Sequence, residues 1–404
     1  MLHDPERHEP LEPIAWDAAR AQAAIGRIVR DTEARRLPNG DWPLHPLDDD
    51  GSGAAAPTDL YLGSIGVVWA LNYLSAVGAA TLQRAPADLD ALLERHRAWL
   101  AAAGLDAAGA YLIGELPLQM MIAARQPTPE AGARLAALIE GQFTHPSREL
   151  MWGAPGALLA ALFLHERSGD ARWAELFRRG ARDLMAERES DPDLAWPLWT
   201  QSLYGRRSRY LGAAHGFAGA VLPLVRGRRL LDPQDWACWQ AWIADTARHF
   251  AQAEGDGLNW PPEAAPPGAA AQKRLMQICH GAPGMLVCLA GLPEPALDEL
   301  LLAAGRAIWA AGPLAKGSNL CHGSSGNGYA FLKLHARTAD PLWLARARAF
   351  AMHAIAQAEA AAAEHGQGRY SLWTGDLGLA VYLWDCLRGG ADFPTLDVFD
   401  APRR

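Results

Sequence analysis

Gly153-Ala154-Pro155-Gly156-Ala157-Leu158-Leu159-Ala160-Ala161-Leu162 decides how this chain is read. Two glycines three positions apart lead straight into an apolar run, and the same phrase returns along the sequence. Gly63-Ser64-Ile65-Gly66 runs into Val67-Val68-Trp69-Ala70-Leu71. Further copies stand at Gly216-Phe217-Ala218-Gly219, Gly281 to Gly284, Gly323 to Gly326 and Gly375-Asp376-Leu377-Gly378, with Gly114-Glu115-Leu116-Pro117 as a worn seventh. Charged amphipathic stretches such as Asp170 to Glu187 separate them. A period of roughly 40 to 65 residues predicts one helical hairpin per repeat. The glycines belong where a loop opens a helix and the backbone passes close to a neighbour. Glycine is common, at 39 of 404 residues, but chance copies would not each open an apolar run.

In this register the residue ahead of the first glycine is Leu62, Trp152, His215, His280, His322 and Thr374 in turn. The one before it is Tyr61, Met151, Ala214, Cys279, Cys321 and Trp373. If the apolar helices all start at one end of a closed ring, these positions converge on one patch. Two of the five cysteines then fall in matching contexts, Cys279-His280-Gly281 and Cys321-His322-Gly323. Thiolate and imidazole together are what Zn²⁺ selects, and three protein ligands leave a fourth position open. Spacing alone does not choose between His280 and His322. With both, the site would be closed and structural.

These residues resemble the LanC-like family, which includes the lanthionine synthetase cyclases and glutathione-binding LanC-like proteins. The resemblance runs from about Tyr61 to Leu387. It rests on Tyr210-Leu211-Gly212-Ala213-Ala214-His215-Gly216, on Cys279 to Gly284, and on Lys316-Gly317 with Leu320-Cys321-His322-Gly323. Gly326-Asn327, Tyr329-Ala330-Phe331-Leu332 and Arg369-Tyr370-Ser371-Leu372-Trp373 complete it. The resemblance implies an all-α fold, an α/α toroid of about seven inner and seven outer helices. It implies one zinc ion per chain held by Cys279, Cys321 and His322, with His215 as the acid/base residue. It puts Lys316, Arg369 and Asn327 on the substrate side. The implied reaction is Michael-type addition of a thiol, glutathione or a peptide cysteine, to a dehydroamino acid, which forms a thioether. In the peptide cyclases an Asp near the third turn partners the histidine. Here the stretch is Arg148-Glu149-Leu150-Met151-Trp152, so Glu149 is the nearby carboxylate, and Ile278 stands where the family commonly has Trp.

The chemistry follows from the residue types. Coordination favours the thiolate, which is the nucleophile. Attack at the β-carbon leaves an enolate, and His215 is placed to protonate its α-carbon. Two other classes compete with this enzyme. One is a zinc- and glutathione-binding regulatory protein without turnover. The other is an α/α-toroid glycosidase, which needs a pair of carboxylates. The turn positions carry Cys and His instead, with Asp376 the one acid among them.

Half the residues are hydrophobic and 20% charged, enough for a large core. The repeat predicts one domain over 1–404: a lead-in with the first outer helix (1–57), the repeats (58–390) and a tail (391–404). A net charge of −8 without a basic run argues against nucleic acid. The first eight residues lack the apolar core of a signal peptide, and an odd cysteine count fits a reducing cytoplasm. Leu60 to Gln83 is uncharged and long enough to cross a bilayer, but it reads as a helix walled by protein rather than a membrane span. Leu37 to Pro57 is expected as an extended lead-in. Asp256 to Gly268, with Pro261, Pro262, Pro266 and Pro267, is expected as a long loop, either a lid or a tolerated insertion. Cys238, Cys288 and Cys386 are expected to fill the core. His165, His249, His335 and His353 are expected as surface or satisfied core histidines.

Overall fold

Helices of two kinds alternate along the chain, which the computed structural model describes over residues 3–401 apart from 50, 52, 54, 191–193, 195 and 267–271. The odd-numbered helices are α1 (Ala18–Ala34), α3 (Leu89–Ala102), α5 (Pro129–Glu140), α7 (Ala171–Ala186), α9 (Pro233–Phe250), α11 (Asp298–Ala311) and α13 (Pro341–His365). The even-numbered ones are α2 (Ser64–Ala76), α4 (Leu116–Arg125), α6 (Ala154–Ser168), α8 (Phe217–Arg226), α10 (Ala282–Leu289), α12 (Ser324–Thr338) and α14 (Asp376–Arg388). An odd helix buries one stripe. In α7 the buried set is Trp173, Ala174, Leu176, Phe177, Gly180, Ala181, Leu184 and Met185, with arginines on the other face. An even helix buries nearly everything: all of α10 and every residue of α8 except Arg226. The 13-residue α2 accounts for the uncharged stretch after Leu60, and no described helix is long and apolar enough to cross a membrane.

The two kinds also start differently. Asp17, Asp88, Thr128, Asp170, Asp232 and Asp340 cap six of the seven odd helices through their side chains. Gly63, Gly153, Gly216, Gly281, Gly323 and Gly375 open six even helices with no side-chain cap. Their first amides need other acceptors. The preceding loop supplies them by folding back: Phe217 and Ala218 donate to the carbonyls of Tyr210 and Leu211, and Ser324, Ser325 and Gly326 to those of Gly317, Ser318 and Asn319. That return brings a carbonyl from six residues back against most of these glycines, while at Gly153 it brings the Ser147 hydroxyl. A Cβ on Gly216 would strike the backbone of Tyr210, and one on Gly219 the carbonyl of Ala213. The Gly-x-x-Gly phrase is therefore the imprint of a loop lying flat on its own helix. The worn copy behaves likewise in part, with Glu115 at the N-cap of α4 and Pro117 in its first turn.

Two compact units make up the chain. One comprises Met1–His8, Gly109–Tyr111 and Thr128–Gly312. In it α6 packs on α7 and α8, and α10 on α8 and α11. The other comprises Glu9–Ala108, Leu112–Pro127 and Pro313–Arg404, where α12 packs on α13 and α14, and α14 on α1 and α2. Each unit contains the same corner between an even and an odd helix. His165 Nδ1 lies 3.1 Å from the Asp170 carbonyl, and His335 Nδ1 lies 3.0 Å from that of Asp340. Gly169 and Ala339 between them take positive φ of 68° and 57°.

The first unit also holds two hairpins that the repeat reading does not contain. β1 (Gln201–Leu203) pairs with β2 (Arg206–Ser208) around Tyr204-Gly205, both at positive φ. β3 (Gln252–Glu254) pairs with β4 (Gly257–Asn259), so the expected loop from Asp256 begins as a strand. Its Pro267 and Gly268 lie outside the described residues. Cys288 and Cys386 are buried as expected, whereas Cys238 is exposed on α9 and fills no core.

Candidate active site

In the first unit, His215 and Cys279 stand on the turns that open α8 and α10. Gly212 is the reason these turns meet: a Cβ there would collide with the Cys279 carbonyl. The Pro-rich stretch frames the same place. Leu211 donates to the Pro262 carbonyl at 2.9 Å and Ala264 to that of Arg209 at 2.8 Å.

His215 Nδ1 lies 2.9 Å from Oε2 of Glu149, a carboxylate with no exposure at all. Glu149 is itself held by its own turn. Its Oε1 accepts the Trp152 amide at 2.6 Å and its Oε2 the Met151 amide at 3.0 Å. Burial alone would lower the His215 imidazole. The hydrogen bond and charge of Glu149 and the Cys279 thiolate outweigh burial and hold it above the ordinary histidine value. The neighbouring His280 goes the other way, lowered by burial, with Cys279 opposing and His215 adding. Two histidine rings 6.5 Å apart thus have their pKa values moved in opposite directions. Above them the exposed Tyr204, at the tip of the β1–β2 hairpin, meets His215 edge-on at 6.1 Å and accepts from Trp152 Nε1 at 3.2 Å. Behind Cys279 runs a polar chain in which Arg7 donates to Gln277 and Gln277 Nε2 lies 3.3 Å from the Cys279 sulfur.

In the second unit, Cys321 and His322 stand on the turn before α12. Backbone hydrogen bonds stitch this turn to its neighbours: Leu320 and Cys321 donate to Trp373, Trp373 to Tyr61, and Leu60 and Tyr61 to Leu112. The His322 amide donates to Asn319 Oδ1 at 3.0 Å. The Tyr61 hydroxyl donates to the Cys321 sulfur at 2.8 Å.

His322 lies on the wall of a cavity of about 750 Å³ within this unit, together with Lys316, Asn319, Arg369, Thr374 and Asp376. Lys316 is exposed; its carbonyl accepts from Asn319 Nδ2 at 3.3 Å, and its side chain has no hydrogen-bond or ion-pair partner among the described residues. Arg369 is engaged by Asp48. Burial pushes the Asp376 carboxyl up to about 6, against the amide and charge of Arg369. Asn327 is fully buried in α12 and does not line the cavity. The lead-in, expected merely to reach the first repeat, supplies wall residues His45 and Leu47, and Glu9 lines the wall while bonding His353 Nε2 at 2.6 Å. His353 is thus a satisfied core histidine.

One signal in the sequence would have pointed to these turns. Four positions before the first glycine stand Asp59, Glu149, Gln277, Asn319 and Ser371. Asp59, Glu149 and Asn319 each cap their turn by accepting the amide just ahead of the glycine.

The fold and these turns define a protein of alternating helical hairpins with thiols and imidazoles at the heads of its buried helices. The chain belongs to the lanthionine synthetase C-like protein family, whose model matches residues 54–398. It is 28% identical over 283 residues to glutathione S-transferase LANCL1 of Danio rerio, covering 65% of this chain and 64% of that protein. It is 29% identical over 270 residues to LanC-like protein GCL1 of Arabidopsis thaliana, covering 62% and 58%. The chain therefore spans less than two thirds of either relative. Among solved structures it is similar to nisin cyclase, with a TM-score of 0.55, 14% identity, and coverage of 92% of this chain and all of the other. That likeness establishes the fold class as all-α, an α/α toroid.

Proposed function

We propose that this protein adds a thiol, glutathione or a peptide cysteine, to a dehydroamino acid, with Cys279, Cys321 and His322 holding one zinc ion. Two thiols and an imidazole are a donor set that fits zinc. When bound, zinc favours the deprotonated form of a thiol at its remaining position. Lys316 and Arg369 meet the carboxylates of that thiol. The sulfur bonds to the β-carbon, and the electron pair of the double bond moves onto the carbonyl as an enolate. His215 then gives a proton to the α-carbon. The thiol's own proton balances the addition and returns the imidazole to its charged form.

The observation that carries this reading is the His215–Glu149 pair. A buried carboxylate at Nδ1 leaves Nε2 as the donating end and favours the protonated ring. The relatives' names, a glutathione S-transferase and a cyclase, support thiol chemistry of this class.

The test follows glutathione addition to a dehydroalanine peptide by mass, with zinc measured on the same samples. His215→Ala is expected to keep zinc and lower the rate roughly 10²–10⁴-fold. Cys279→Ala, Cys321→Ala and His322→Ala are expected to lose zinc, and His280→Ala to keep it. Zinc that survives loss of Cys321 would sink the ligand assignment. Wild-type protein that binds glutathione but forms no adduct would be a binding protein instead.

A further inference from the structure

We infer that Asp48 is the residue that positions Arg369 for a carboxylate of the incoming thiol, so that the lead-in segment around His45 takes part in choosing which thiols the cavity accepts. This deepens the thiol-binding reading above and rests on it.

Arg369 is held at both ends. Its backbone amide donates to Asp376 Oδ2 at 2.9 Å. Its Nε donates to Asp48 Oδ2 at 2.7 Å, and its Nη2 donates to the other Asp48 oxygen. The pair is largely covered, with 17% of the Arg369 side chain and 19% of the Asp48 side chain exposed. A guanidinium offers two edges to carboxylates. Asp48 takes the Nε edge, which leaves the Nη1 edge for a ligand. Arg369 lines the cavity, as do His45 and Leu47 on Asp48's own segment, but Asp48 does not. Asp48 therefore backs the guanidinium instead of filling the ligand's space.

The segment that carries Asp48 is itself anchored. The Leu44 carbonyl accepts from Gln367 Nε2 at 3.1 Å, and the His45 ring meets His365 edge-on at 4.8 Å. The amides of Asp48 and Asp49 return to the His45 carbonyl at 2.8 and 3.2 Å. Arginine loses considerable rotamer freedom when it binds a ligand, and a carboxylate that fixes it beforehand removes that loss from the binding step. The charge of Asp48 also opposes an incoming carboxylate. It does so from the far edge, whereas the fixed orientation acts at the contact itself.

The experiment titrates the zinc-loaded full chain with glutathione and with cysteamine, a thiol that has no carboxylate. Asp48→Asn is expected to raise the Kd for glutathione about tenfold and leave that for cysteamine within about twofold. Asp48→Glu should recover part of the loss. In an Arg369→Ala background, Asp48→Asn should add nothing. Tighter glutathione binding by Asp48→Asn would make Asp48 a competitor and overturn the inference. An equal loss for both thiols would make its role structural and overturn it too. Failure of the underlying reading looks different: wild-type protein binds neither thiol, or Arg369→Ala leaves glutathione binding unchanged. The positioning itself is then read without a thiol, from the Arg369 Nε–H resonance. Slow proton exchange in the wild type that quickens in Asp48→Asn supports it, and equal exchange in both refutes it.

Discussion

Glu149→Gln is the sharpest single perturbation of the candidate site. The carboxylate accepts three hydrogen bonds, from the Met151 and Trp152 amides and from His215 Nδ1, and no part of it reaches solvent. Glutamine keeps the shape but replaces one acceptor oxygen with an NH₂ donor. If the NH₂ takes the Oε2 place, it faces the Met151 amide and drives the His215 proton from Nδ1 to Nε2. If it takes the Oε1 place, it faces the Trp152 amide. Either way a buried donor faces a donor, at a cost of about 1–3 kcal/mol of stability. The larger effect is on the acid. Glu149 supplies most of what raises His215 against burial, so the variant's imidazole loses its proton at lower pH. The wild-type addition rate should fall as pH rises through the His215 pKa, and the variant's fall should begin earlier. At pH 7 the rate should drop by about 10²-fold or more. The assay is thioether formation on a dehydroalanine peptide across pH 5.5 to 9, with zinc content and thermal unfolding on the same preparations. An unshifted pH profile with a rate within twofold of wild type would refute the pairing.

Two further outcomes test the frame. Burial pushes the Asp59 carboxyl up to about 7, with the Leu62 and Gly63 amides holding it down. Below about pH 4 the neutral acid is present folded and unfolded. As pH rises from about 4 to about 7 the unfolded chain ionises first and the contribution of the neutral acid is lost. Urea unfolding should show wild type losing a few kcal/mol relative to Asp59→Asn between pH 4.5 and pH 8, and a pH-independent difference would contradict a buried neutral acid. Gly212→Ala should destabilise by about 3 kcal/mol and lower zinc content, because its Cβ must displace the Cys279 carbonyl. An unchanged melting temperature and full zinc would show that the two turns do not depend on that contact.

The legible parts of this chain are those written locally. Each intact Gly-x-x-Gly marks a helix start because its loop folds back on its own first turn, so the cause lies within six residues of the effect. The alternation of wholly apolar and one-sided helices is local too. Cys279, Cys321, His322 and His215 were visible because they occupy one register position or the next. What escaped the sequence depends on partners far along the chain. Glu149 could be named beside His215 only from the family resemblance, since the contact itself arises through the packing of α6 on α8. Asp48 meets Arg369 across most of the sequence. The β1–β2 and β3–β4 strands are three residues each, too short for an alternating pattern, and only Tyr204-Gly205 hinted at a turn. Cys238 resembled a core residue because Trp236 and Trp239 flank it, but on α9 it falls on the exposed face.

The glycine-headed turns bear on how such a protein can change. Backbone carbonyls and two glycines hold each turn, and the polar residue four positions before the first glycine caps several of them. The two residues just ahead of that glycine vary from copy to copy. Where Asp59, Glu149 and Asn319 cap the turn, they do so through the backbone amide of one of these residues and not through its side chain. The pair is Tyr61-Leu62 in one copy, Met151-Trp152 in another, Cys321-His322 in a third and Trp373-Thr374 in a fourth. The scaffold thus separates what must be kept from what can vary. A lineage can install, relocate or discard reactive groups at these pairs by point substitution, without rebuilding a helix. Divergent activities, and silent members that have lost theirs, are then a natural product of one inherited framework.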